Sequence, residues 1–269
     1  MPIDWDELKR VSAQVQADLD GVGLDFHLEF SSVYDMWTTK LADIKDDATK
    51  PAAWYTQGAD YWEDEENCPP DVGGVLGGYG YISPIDIEGS TAFLARVQAL
   101  RPAFKRDRAI DCGGGIGRVV KHLLLPLFAS VDLLEQSPRL LKAAPRYIGA
   151  EKHRVETLLC MGMQDFDPSP NSYDLIWCQW VCPHLMDLDF IKFLQRCQQA
   201  LRPGGVICIK ENIIVDGSPY ELDEDDSSVT RSAAYYKSIF RQANLTLLAD
   251  ERQEGFPEEL YPVMTYALY

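Results

Sequence analysis

The run Ala109-Ile110-Asp111-Cys112-Gly113-Gly114-Gly115-Ile116-Gly117-Arg118 carries the chemistry of a cofactor turn. Two apolar residues lead into an acid, and glycines follow at 113, 115 and 117. Glycine lets the chain turn sharply and approach a ligand closely. A second apolar run, Val131-Asp132-Leu133-Leu134, ends at Glu135. That puts a carboxylate about twenty residues on, at the tip of the next strand, where it can bond a ribose diol. The pair of features describes a nucleoside-cofactor site on a doubly wound sheet.

The details select among cofactors. A nicotinamide fingerprint counted from Gly113 needs a third glycine at 118, where Arg118 stands. The phosphate loop of nucleotide hydrolases is absent. A Gly-x-Gly-x-Gly turn led by an acid suits S-adenosylmethionine, which has no pyrophosphate to cradle. The turn is a weak signal alone, and the acid at 135 strengthens it.

These residues need a scaffold. From residue 108 apolar strand runs alternate with helical patterns, which predicts a mainly parallel sheet. Strands are expected at 108–112, 130–135, 155–160, 173–179, 205–210, 244–250 and 262–268, and helices at 116–128, 137–148, 187–201 and 228–242. The last two strands are too close for a helical crossover, so the expected α/β fold is a seven-stranded, doubly wound, Rossmann-like class I methyltransferase sheet with an antiparallel end strand. Residues 51–269 are read as that domain. Within it, 51–100 form a cap with a glycine-rich lid, Gly73-Gly74-Val75-Leu76-Gly77-Gly78-Tyr79-Gly80, and a helix from Ile85 to Leu100 capped near Ser90. Residues 1–50 are read as a helical extension, with Trp5, Leu8, Val11, Val15 and Leu19 at near-helical spacing and Gly21-Val22-Gly23 ending the helix.

Ligands of such sheets sit at the carboxyl ends of the strands. That rule gathers Asp111–Arg118, Glu135, Met163-Gln164-Asp165, Gln179-Trp180 and Glu211-Asn212. Met163 and Gln164 suit an adenine. Pro183 ends the run Asp174–Cys182 and sets His184 just beyond the strand tip. Trp180 is either core or a wall able to stack on a cation or a proline ring. The acidic run Glu221-Leu222-Asp223-Glu224-Asp225-Asp226-Ser227-Ser228 reads two ways: a solvated loop in which Asp226, Ser227 or Ser228 caps the helix near Val229, or a cation-binding rim.

Composition narrows the partners. With 269 residues, 46% hydrophobic, the chain can hold one α/β domain and an extension. A formal net charge of −17 repels phosphate backbones and favours cationic partners. The N-terminal stretch MPIDWDELKR lacks the apolar segment of a signal peptide, and no run is long enough to span a bilayer, so a cytoplasmic or nuclear protein is expected. The 7 cysteines show no C-x-x-C spacing and are read as free thiols, with no metal site.

Taken together these motifs resemble the protein α-N-terminal methyltransferase family. The resemblance covers about residues 54–269. It rests on Tyr61-Trp62, Val75–Gly80, Asp86-Ile87, Asp111–Gly113 with Gly115–Arg118, Leu123–Phe128, Gln164-Asp165-Phe166, Gln179-Trp180, His184-Leu185, Lys210-Glu211-Asn212, Asp226-Ser227-Ser228, Glu251-Arg252-Gln253 and Tyr261. It implies methylation of the free α-amino group of proteins that begin Xaa-Pro-Lys or Xaa-Pro-Arg after methionine removal, by a monomer that uses neither nucleic acid nor membrane. It implies cofactor contacts from Trp62, Gly113, Arg118, Glu135, Met163, Gln164 and Gln179. It implies a peptide channel of Leu76, Trp180, Asp223, Ser228, Glu259 and Tyr261, with Asp226, His184 and Asn212 around the reacting amine. Glu135 replaces an aspartate of some members, Gly114 a common alanine that should be interchangeable, and Cys182-Pro183 precedes His184 where glycine is usual. The rival reading on the same fold is a small-molecule N- or O-methyltransferase. A nicotinamide oxidoreductase and a non-catalytic binding module fit the motifs less well.

Overall fold

The computed structural model describes residues 3–24, 29–45, 52–215 and 217–269. Its centre is a sheet ordered β3-β2-β1-β4-β5-β9-β8. The strands are β1 (Arg108–Cys112), β2 (Ser130–Glu135), β3 (Val155–Cys160), β4 (Tyr173–Gln179), β5 (Leu201–Asn212), β8 (Leu247–Arg252) and β9 (Val263–Leu268). The first five run parallel, and β9 is antiparallel to both β5 and β8. The antiparallel strand is therefore inserted second from the edge, and β8 at the edge again runs with the majority. The order reverses between β1 and β4, which opens a crevice at their carboxyl ends.

Strand alternation divides the core into two layers. Along β4, Leu175 and Trp177 join the layer under α4 (Ser83–Leu100) and α6 (Pro138–Ile148), while Ile176 and Cys178 face α7 (Asp187–Ala200) and α8 (Ala233–Gln242). All seven residues of β4 are buried, as a central parallel strand requires. The helix after the glycine turn contains a π-helical turn, Val120–Leu124, before the short α5 (Leu125–Leu127). Pro126 supplies no N–H.

Helix α1 (Trp5–Asp20) is capped by Asp4, and Leu8, Val11, Val15 and Leu19 are buried in the same layer as α7 and α8. Helix α2 (Val33–Lys40) and a short turn, Ala42–Ile44, follow it, and α3 (Ala53–Glu63) lies beside the crevice. Among the described residues no helix is long and apolar enough to cross a membrane.

Two expectations change. The segment 220–231 is a hairpin, β6 (Tyr220–Asp223) against β7 (Ser228–Arg231), and not a loop leading into a helix. The cap of α8 is Ser232, whose hydroxyl accepts the Tyr235 N–H. Ser90 also caps nothing: it is buried inside α4, donating to the Asp86 carbonyl.

Candidate active site

The strand tips border an open cavity of about 920 Å3, its solvent-filled mouth included. Trp62, Gly113, Arg118, Glu135, Met163, Gln164 and Gln179 all line it, as do Leu76, Trp180 and His184. Asn212 and Asp226 reach its edge through neighbours. Asn212 Oδ1 accepts from Trp180 Nε1 at 3.1 Å, and Asp226 lies within electrostatic reach of His184. Asp223 is exposed on the hairpin, and Glu259 and Tyr261 are exposed on the segment before β9. Ser228 is buried behind Asp226 and bonds its carboxylate. These last four do not line the cavity.

The glycine turn is built tightly. Gly113, Gly115 and Gly117 all have positive φ. A Cβ on Gly113 would sit 2.3 Å from Val181 Cγ2, so this glycine admits the loop after β4 as well as a ligand. A Cβ on Gly115 would meet Val75 of the lid at 3.3 Å. An alanine Cβ at 114 would lie 2.3 Å from Leu133 Cδ1 and 2.4 Å from Asp111 Oδ2, so these side chains must shift to admit it.

Glu135 closes one end. Its Oε2 accepts the Gly115 N–H at 2.9 Å and its Oε1 the Ser137 N–H at 2.8 Å. Burial raises its pKa against these bonds. A carboxylate offers about four acceptor positions, so the group can still receive donors from the cavity. A ribose diol supplies such donors. Burial likewise pushes Asp111 up to about 7, opposed by Arg118, and its Oδ2 has no hydrogen-bond partner among the described residues.

Arg118 is held by Asp86, Nη1 to Oδ2 at 2.7 Å. Asp86 also binds Lys210 and accepts from Gln179 Nε2 at 2.8 Å. Burial opposes the charge on Asp86, but Lys210 and Arg118 outweigh it and hold the carboxyl below its usual range. Gln179 Oε1 in turn accepts from Trp177 Nε1 at 3.1 Å. The Gln179 amide is therefore fixed by protein partners on both sides, presenting a set face to the cavity. Lys210 and Asp86 entered the sequence reading only as motif residues. Their pairing, 124 positions apart, leaves no local signal.

At the other end α3 supplies three aromatic side chains. Trp62 Nε1 donates to His184 Nε2 at 3.1 Å, Trp54 Nε1 donates to the His184 carbonyl at 2.8 Å, and Tyr55 donates to Asp189 at 2.6 Å. His184 Nδ1 lies 3.3 Å from the Ser227 carbonyl. These partners specify a neutral imidazole protonated on Nδ1. Burial lowers the histidine pKa, against the pull of Asp226. Asp226 is pushed up by burial, opposed by His184, and its Oδ1 is buried without a partner among the described residues. Arg139 fixes the end of α3 by donating to the carbonyls of Trp62, Glu63, Asp64 and Cys68.

Trp180 follows β4 with φ 54, a left-handed conformation rare for a bulky residue. Glu211 Oε1 accepts the next two N–H groups, Val181 at 3.0 Å and Cys182 at 2.9 Å. Phe256 packs near the Trp180 ring, centroids 6.4 Å apart. Glu211, gathered from the sequence as a strand-tip residue, holds this loop rather than lining the cavity, and Phe256 escaped the sequence reading.

This sheet order, with a glycine turn after β1 and a buried acid ending β2, defines an S-adenosylmethionine-dependent methyltransferase of class I. The profile of the AdoMet dependent proline di-methyltransferase family matches residues 50–269, and the chain belongs to that family. It is similar to the human N-terminal Xaa-Pro-Lys N-methyltransferase 1, 46% identical over 216 residues, covering 80% of this chain and 95% of the human one. It is 42% identical over 248 residues to the alpha N-terminal protein methyltransferase 1 of Arabidopsis thaliana, covering 89% and 87% of the two chains. A solved S-adenosylmethionine-dependent methyltransferase from Leishmania major superposes with a TM-score of 0.79 at 38% identity, covering 88% and 91%. The cofactor of this chain is S-adenosylmethionine.

Proposed function

We propose that the chain methylates the free α-amino group of proteins that begin Xaa-Pro-Lys or Xaa-Pro-Arg once methionine is removed. The observation that carries this reading is the buried Oδ1 of Asp226, without a partner among the described residues, beside a neutral histidine at the cavity end where the acidic hairpin turn lies. An unmet buried acceptor costs about 1–3 kcal/mol, and an amine supplies the missing donor. The family membership and the names of the human and plant relatives support the same substrate class.

Glu135, Met163, Gln164, Arg118, Gln179, Gly113 and Trp62 are the residues we assign to the cofactor. When bound, S-adenosylmethionine supplies an electrophilic methyl on a sulfonium. The protein's tasks are to bind, to aim and to take a proton. An α-amine has a reference pKa of about 7.7–8.0, against about 10.4 for lysine. Near neutrality it therefore needs little help to lose its proton. Asp226 Oδ1 is the open acceptor, and Asn212, fixed through Trp180, orients the nitrogen. His184 shares the proton only if the Trp62 N–H first leaves its Nε2. Leu76 and Trp180 flank a proline at position two, and Asp223 with its neighbours attracts the basic residue at position three. The net charge of −17 supports basic protein partners over nucleic acid. A cytoplasmic or nuclear site of action belongs to the same proposal.

The test is a position scan. Peptides Xaa-Pro-Lys, Xaa-Pro-Arg, Xaa-Pro-Glu and Xaa-Ala-Lys are compared for kcat/KM with S-adenosylmethionine. The lysine and arginine peptides should lead, with the glutamate peptide far behind because repulsion replaces attraction. Equal turnover of all four would reject the assigned channel.

A further inference from the structure

The family match begins at residue 50, so α2 and the turn after it lie outside it. Yet this stretch touches α3, the start of α7 and the hairpin turn beside the acceptor end. Asp43 accepts the Ala53 N–H at 2.8 Å, and so caps α3, whose own N-cap residue is Ala52 with no side-chain bond. Trp37, fully buried, donates from Nε1 to Asp187 Oδ2 at 2.8 Å and meets Trp54 edge-on, centroids 5.4 Å apart. Lys40 pairs with Glu224 in the hairpin turn, two residues from Asp226.

The Trp37 contact reaches furthest. Asp187 also takes Arg231 at 2.9 Å and the Tyr235 hydroxyl at 2.6 Å. Arg231, at the end of β7, donates to the carbonyls of Cys182 and Leu185, which bracket His184. Trp54 holds the His184 carbonyl itself. One indole thus joins the knot that fixes the histidine loop and the strand leading from Asp226. Helix α1 is attached differently: Asp18 binds Ser238 and Arg241 of α8, and none of these lines the cavity.

We propose that residues 33–45 are a clamp that positions the acceptor end, with Trp37 as the positioning residue through which His184 and Asp226 are set. This rests on the reading of Asp226 and His184 given above. The clamp explains how one segment reaches α3 and the hairpin directly and the 182–185 loop through Asp187 and Arg231, and why the buried Trp37 donor is spent on Asp187.

The full chain is assayed well below its Tm as wild type, Trp37→Phe, Asp43→Ala and Asp18→Ala. Trp37→Phe keeps a ring but removes the donor, and should lower kcat/KM for an Xaa-Pro-Lys peptide about tenfold. Asp43→Ala removes the acceptor that caps α3 and should lower it about threefold. Both should leave the Kd for S-adenosylhomocysteine, by calorimetry, within about twofold, since neither touches the cofactor end. Asp18→Ala should lower Tm while kcat/KM stays at wild type. Wild-type kcat/KM in Trp37→Phe, or an equal loss in Asp18→Ala, overturns the clamp. If Trp37→Phe does not fold, unchanged kcat/KM in Asp43→Ala overturns it and a loss supports it. A wild-type chain inactive on the peptide rejects the assigned reaction instead. The clamp is then read by hydrogen exchange, where faster exchange over 53–58 and 182–186 in the Trp37 or Asp43 variant supports it and unchanged exchange overturns it.

Discussion

Replacing Glu211 by glutamine should change how stability depends on pH. Glu211 is fully buried on β5, with Oε1 on two backbone N–H groups and Oε2 without a partner among the described residues. Burial pushes its pKa from 4.5 to about 7, although the Val181 and Cys182 N–H groups oppose the shift. The folded protein therefore keeps a proton that the unfolded chain releases. Its contribution is complete below about pH 4.5 and is lost as pH rises through about 7. A gap of about 2.5 units at about 1.4 kcal/mol each gives a loss on the order of 3 kcal/mol. Glu211→Gln keeps the carbonyl oxygen for both N–H groups and does not titrate. Buried Asp111, also raised to about 7, slopes the same way in both proteins. Denaturant unfolding from pH 5 to pH 8 should thus show a shallower fall for the variant, by about that amount. Parallel curves would refute a protonated Glu211.

Three further outcomes follow from the site. Glu135→Ala should raise the cofactor Kd about 10- to 100-fold, since ligand bonds are lost and the Gly115 and Ser137 N–H groups are stranded; unchanged calorimetry would remove Glu135 from the site. Asp226→Asn keeps shape without charge and should lower kcat on the order of 100-fold with the cofactor Kd unmoved; wild-type kcat at pH 7 would leave the hairpin a docking surface only. Gly114→Ala should cost about 1–3 kcal/mol by overpacking against Leu133 and Asp111; an unaltered Tm would show that the turn relaxes at no cost.

The sheet was legible because its signal is local. Strands at 108–112, 130–135, 155–160 and 173–179 are apolar runs with glycine, proline or acid at their ends, and their observed bounds coincide with expectation. The cofactor end was legible for the same reason, since glycine spacing and a strand-tip acid reveal one crevice. The hairpin was not. Its strands are four residues each, the acids sit at its turn, and Ser228 imitates a helix cap four residues before Ser232. The ties that shape the acceptor end were also hidden, because Trp37–Asp187 and Lys210–Asp86 span 150 and 124 positions of chain with no periodicity to mark them.

The most direct measurement locates the methyl group. The chain is incubated with S-adenosylmethionine and an Xaa-Pro-Lys peptide, beside the same peptide acetylated at its N-terminus, and fragment-ion mass spectrometry reads the modified atom. The α-nitrogen should carry every added methyl, and the acetylated peptide should gain none because its lone pair is delocalised into the amide. Methylation of the lysine side chain, or equal turnover of the acetylated peptide, would contradict the account.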